Sequence, residues 1–228
     1  MAEQPSELIL KLLAEKAVLK NKVFQKTSEA FNHLKSALKD IRTELKNKVA
    51  AIDKTIPVEY TDRGDFETEF NLAGDTNIYL LHSNIFTFDH NHEIWKTSYV
   101  QEDRTRAFCG KIYAYNFLSD SILYNRSNDI GYLIARIFVN AEGHFFVEGK
   151  RQLGFLYNDF ANAVIDKQAM RSIAESTILY SLDFDPFTPP YDQVNQLSVQ
   201  EILSPYLQTR IATGKRLGFR FQADTDAT

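Results

Sequence analysis

Glycine and proline are missing from the whole stretch between Pro5 and Pro57, although the 228-residue chain holds 9 glycines and 6 prolines in all. That gap excludes the residues that most often end a helix or open a turn. Cysteine is nearly absent as well: Cys109 stands alone, so no disulfide can form within the chain. No run approaches the 18 or so consecutive apolar residues of a membrane-spanning helix. The first apolar stretch is interrupted by Lys11, Glu15, Lys16 and Lys20 and does not read as an export signal. These absences make the cytoplasm the expected compartment and give no reason to expect a membrane partner.

What fills the gap is a 3-4 ladder of apolar positions. Leu10, Leu13, Ala17, Phe24, Phe31, Leu34, Leu38, Ile41, Leu45 and Ile52 recur in register, with Lys20, Thr27 and Lys48 as polar interruptions. A repeat of 3.5 residues sustained this long is the pattern of a coiled-coil seam. Ser6 is the expected N-cap and Pro57 the expected stop. Such a helix spans about 73 Å at about 1.5 Å per residue. A compact body built from the rest of the chain is only about 40 Å across. The body can cover about half of the rod, so the ladder predicts that subunits assemble through it. Ile9, Val23, Ala30, Ala37 and Ala51 widen the stripe beyond what a two-stranded zipper needs. That width predicts a higher oligomer, or a dimer whose helices also rest on their bodies.

Charge is divided unevenly. Residues 1–54 carry 11 Lys/Arg against 7 Asp/Glu, a balance of +4, whereas the remainder carries 15 against 23, a balance of −8. A basic helix and an acidic body attract one another within an assembly. The acidic body argues against nucleic acid as a partner.

Beyond Pro57 the period shortens to that of strands. Extended runs are expected at 66–72, 77–83, 85–89, 93–100, 107–118, 130–140 and 144–148, rich in Ile, Tyr, Phe and Val and separated by Gly, Asn, Asp and Ser. Residues 89–93 read as one hairpin tip, and Asn140 to Gly143 as another. Helical spacing returns over 157–182, with a break expected near Asp166. A capping box at Ser198 and Glu201 announces a last helix to about Ala212. The expected fold class is α+β: a long N-terminal coiled-coil helix, a mainly antiparallel sheet of about five to seven strands, and C-terminal helices packed on it. The domains read as 1–56, the helix, 57–222, the globular part, and 223–228, a small polar tail expected to be disordered.

Alternation over 130–140 sets Leu133, Ala135, Ile137 and Val139 against Tyr132, Ile134, Arg136 and Phe138. On 107–118 it sets Ile112, Ala114 and Leu118 against Tyr113, Tyr115 and Phe117. Neither face suits water, so both should be covered. The C-terminal helices serve for one. The aromatic face calls for the long helix, a second subunit or a ligand, which makes Tyr113, Tyr115, Tyr132 and Arg136 the candidate ligand-binding residues.

No catalytic motif stands out, and no cofactor is implied. His90 and His92, two apart beside Asp89 and Glu93, have metal-ligand chemistry, but a solvated turn explains them as well. Cys109 sits mid-strand, where a small buried thiol is the ordinary occupant. The function these features favour is a non-enzymatic, oligomeric binding or scaffold protein. In it the long helix joins copies of the chain and the α+β domain meets another protein. The alternative is a small-molecule or enzyme pocket on the aromatic face near Arg136.

Overall fold

A computed structural model describes residues 4–127, 129–150, 153–183, 185, 191–196 and 198–199. The expected last helix beyond Val199 and the tail at 223–228 lie outside the described residues.

The N-terminal rod is helical from Pro5 to Ile52: α1 (Pro5–Leu12), one π-helical turn (Leu13–Ala17) and α2 (Val18–Ile52). Pro5 takes the first helical position, where its missing N–H costs nothing. Gln4, not Ser6, is therefore the cap, and its side chain makes no capping bond. The rod ends before Pro57, because Asp53 turns extended and its carboxylate accepts bonds from the Thr55 N–H at 2.8 Å and hydroxyl at 2.7 Å. That local turn competes with the helix and wins.

Six strands follow as a meander, each antiparallel to the next and in sequence order across the sheet. They are β1 (Val58–Asp62), β2 (Glu67–Leu72), β3 (Asp75–Leu81), β4 (Cys109–Leu118), β5 (Tyr132–Asn140) and β6 (Phe145–Gly149). The β5–β6 hairpin turns where expected, with Gly143 at φ +82°. The edge strand β1 escapes the sequence reading because only Val58 and Tyr60 alternate with its polar residues.

Two of the expected strands do not form. Residues 85–89 contribute one bridge, Phe86 to Cys109, and 93–100 coil into short helices. These are a 3-10 turn at Glu93–Lys96, α3 (Ser98–Glu102) and a second 3-10 turn at Arg104–Ala107. The cause is local capping: His92 accepts from the Ile94 N–H and Asp103 from the Thr105 N–H. Residues 89–93 are thus the entry to a helical turn and not a hairpin tip. Farther on come α4 (Ser119–Leu123), α5 (Leu153–Leu156), α6 (Lys167–Leu182) and α7 (Tyr191–Val194). The break expected near Asp166 is real. Asp166 caps α6 by accepting from the Ala169 N–H at 2.7 Å, and the chain before it is not helical.

Helices α2 and α6 lie side by side on one face of the sheet. Phe31, Leu34, Leu38 and Ile41 from α2 meet Met170, Ile173, Ala174 and Ile178 from α6 over Phe70, Tyr79, Ile112 and Ile137. Arg171 grips Glu44 through both carboxylate oxygens, at 2.8 and 2.7 Å, and Lys167 reaches Asp40 at 2.7 Å. The helices choose this face because Gly110, Ala114 and Ala135 leave room on it. A Cβ on Gly110 would stand 2.1 Å from Thr27 Oγ1 of α2. Thr27, read as a polar break in a seam, is wholly buried there and bonds back to the Val23 carbonyl at 2.8 Å.

The edge strand is held by charge. Lys35 is buried on α2, and its ammonium donates to Asp62 at 2.7 Å and to the Gly64 carbonyl. That bond holds the Asp62 carboxyl below the usual carboxylate range, so the stabilisation is present above about pH 4 and lost as pH falls through the lowered value. Asp62→Asn leaves a buried ammonium short of its counter-charge and is expected to cost about 1–2 kcal/mol, measurable by urea unfolding at pH 7.

Candidate binding face

The opposite face of the sheet carries Tyr113, Tyr115, Phe117, Phe138 and Phe146, and the long helix does not cover it. One end is sheltered by residues 82–107. Ile94, Tyr99, Val100 and Ala107 are buried there with Cys109, Phe138, Phe146 and Phe160. The Phe138 and Phe146 rings stack at 4.8 Å, with Phe88 5.2 Å from Phe138. A polar clamp pins this segment to the β5–β6 hairpin. Tyr99 donates to Glu142 at 2.6 Å and accepts from Asn140 at 2.9 Å, while Arg106 donates to Glu142 at 3.2 Å and to the Tyr99 carbonyl at 2.8 Å. Burial, then the neighbouring Glu142, pushes the Tyr99 phenol up to about 12. The Tyr99 hydroxyl and Arg106 in turn hold the Glu142 carboxyl below its ordinary value. Because these groups satisfy one another, the clamp is a fastening and offers little to a ligand. Sequence reasoning missed it; the signal available was Asn140 opening the turn, where its side-chain Oδ1 accepts from the N–H groups of Glu142 and His144.

The rest of the face stays half-buried. Tyr113 and Tyr115 stack on β4 with centroids 5.9 Å apart, and Arg136 on β5 is the direct partner of Tyr113. Arg136 pairs with Glu148, its partner on β6, whose other oxygen lies 3.5 Å from His92 Nε2. Lys111 holds its ammonium over the Phe86 ring, 3.3 Å from its centroid. Ile78, Leu80, Phe117 and Leu133 complete the surface, all half-buried.

Of the four candidate ligand-binding residues, the sheet therefore gathers three. A bulge separates the fourth. Ala114 pairs with Ala135 but the adjacent Tyr115 pairs with Leu133, so Ile134 is an extra residue on β5. Before the bulge every side chain changes side. Ile134 joins the core under the helices, Leu133 moves to the aromatic face, and Tyr132 falls opposite Asn116 on the helix side. Simple alternation had Tyr132 and Ile134 with Arg136, and Leu133 with Ala135.

The histidines do not converge. His90 is exposed in its turn, His92 is engaged with the Ile94 N–H and Glu148, and His82 accepts from the Asn84 N–H at 3.0 Å. Among the described residues no group of three or more His, Cys, Asp or Glu side chains is placed to hold a metal ion. Cys109 is fully buried, and that burial raises its thiol far above the ordinary range.

The ten seam residues divide along the rod. Phe31, Leu34, Leu38 and Ile41 are buried within the chain itself, so the middle of the ladder is an intrachain core face. Phe24, Leu45 and Ala17 are half-buried. Leu10, Leu13 and Ile52 are exposed, at 67, 54 and 81%. The stripe is wide because it faces a sheet and α6 together. No helix among the described residues is long and apolar enough to cross a membrane. Comparisons of the chain with protein-family models, with curated proteins and with solved structures find no match.

Proposed function

We propose that this chain is a non-catalytic, cytoplasmic assembly protein. Its α+β body is a platform for another protein, and the free end of the N-terminal rod joins it to a second copy. The observation that carries this reading is the overhang at 5–22. Helix α1 and the π turn bury no residue against the body, yet Leu8, Ile9, Leu10, Leu12 and Leu13 along them and Val18 at the start of α2 stand 42–67% exposed. A contiguous apolar stripe of this kind on a soluble surface is the mark of an interaction site. The basic rod and the acidic body supply attraction between copies.

Light scattering of the full chain at micromolar concentration is expected to give a multiple of 26.2 kDa. Replacing Leu10 and Leu13 together with Asp is expected to return the chain to monomer. The thermal melt extrapolated to low concentration should not change, since neither side chain touches the core. An unaltered oligomer, or a parent chain that is already monomeric, overturns the reading.

A further inference from the structure

Resting on that reading, we infer that the overhang of one subunit docks on the aromatic sheet face of the other, reciprocally, so that each rod lies across its neighbour's Tyr113 and Tyr115. Three observations lead there.

The first concerns what the overhang cannot do. A zipper needs an uninterrupted 3.5-residue repeat over about three or four heptads. Residues 31–41 of the ladder are spent inside their own subunit, and the π turn at Leu13–Ala17 rotates the positions before it out of line with those after it. What remains is two and a half heptads, with apolar residues spread over Leu8, Ile9, Leu10, Leu12 and Leu13. That spread is too broad for a narrow seam and suits a flat partner.

The second concerns what is available to receive it. On the sheet face away from α2 and α6, Ile78, Leu80, Tyr113, Tyr115, Phe117 and Leu133 together form a half-buried apolar surface over three neighbouring strands. The exposed Ile122, Leu123, Tyr124 and Ile130 sit on a single short helix and its loop and are too narrow for five turns of helix. Dimensions agree. Eighteen helical residues extend about 27 Å, and the three strands that carry these side chains, β3 to β5, set about 4.8 Å apart, make a face about 14 Å wide, room for one helix laid along them. A helix about 10 Å in diameter, half sunk over that length, hides about 400 Å². Exchanged reciprocally, each subunit buries that area twice, about 800 Å² per partner, the size of a standard stable interface.

The third is charge. The overhang carries Lys11, Lys16, Lys20 and Lys22 against Glu7 and Glu15, and the body it would lie on has a net charge of −8. Glu67 and Glu69 beside the open face on β2 are paired with Arg63, and Lys111 and Arg136 stand on the face itself, so the attraction is of the body as a whole and not of this patch. A second copy is thus matched to the face in apolar width, and to the body as a whole in sign.

Disulfide mapping in the full-length chain tests this cleanly, because the sole native thiol, Cys109, is fully buried. Two singly substituted chains of different tag length, Leu10→Cys and Tyr115→Cys, are mixed and oxidised gently. The expected product is the mixed dimer, and a Leu10→Cys chain mixed with Thr43→Cys, on the exposed side of α2, should give none. Should Leu10→Cys instead bridge only to itself, or the oligomer form with no bridge to Tyr115→Cys, the docking inference fails while self-association stands. A chain that light scattering finds monomeric overturns both.

Discussion

Replacing Phe31 with alanine is expected to lower the stability of the folded chain by about 3–5 kcal/mol, and to do so equally at every protein concentration. Phe31 is 1% exposed, and it packs in the same cluster as Phe70, Tyr79, Ile112 and α6. Truncation removes an aromatic ring from a close-packed interior and leaves a cavity that its neighbours can fill only in part. The concentration dependence is the discriminating measurement. Were Phe31 an interface residue, its loss would weaken association, and the unfolding midpoint would shift with dilution. An intrachain core residue shifts the midpoint in guanidinium by the same amount at one micromolar as at one hundred. Phe31→Ala and the Leu10/Leu13 double substitution should therefore act in opposite ways, the first on folding and the second on mass.

The second large effect is expected at the closest approach of rod and sheet. Gly110→Ala puts a methyl group 2.1 Å from Thr27 Oγ1, 2.8 Å from its Cβ and 2.9 Å from its Cγ2. No rotamer of a β-branched threonine relieves a clash that includes Cβ, and α2 cannot move away locally without lifting its neighbours Phe31 and Leu34. A cost of about 2–3 kcal/mol follows, at the upper end for overpacking. Thr27→Ala removes the two outer atoms, so the same Gly110→Ala change should cost at least about 1 kcal/mol less in that background. Measuring all four proteins by chemical denaturation gives the coupling directly. Additive losses would mean that helix and sheet do not meet at this pair.

Much of this architecture was legible from residue order. The absence of Gly and Pro up to Pro57, with the 3-4 ladder, made the rod readable. The alternation of Ile, Tyr and Val in β4 and β5, and Gly143 in the turn after β5, made the sheet readable. In the candidate face, Tyr113, Tyr115 and Arg136 were found by alternation alone, because period-2 geometry is local. Tyr132 was misplaced because a bulge adds one residue without leaving a mark in composition. The helical turns at 93–107 were hidden because Ile94, Trp95, Tyr99 and Val100 look like a strand, and the side-chain caps at His92 and Asp103 outweigh that propensity.

Residue order alone settles that Pro5 to Ile52 is a rod with one greasy stripe and that an antiparallel sheet follows it, since helix and strand periods are properties of neighbouring residues. It leaves open whom the stripe serves. An apolar ladder is the same whether it meets a second helix or the chain's own sheet, and that choice rests on Gly110, Ala114 and Ala135, far away in the chain. Those small residues admit α2 to one face and leave Tyr113 and Tyr115 on the other. Tertiary packing thereby makes the middle of the rod a core element and its first turns the part left facing water.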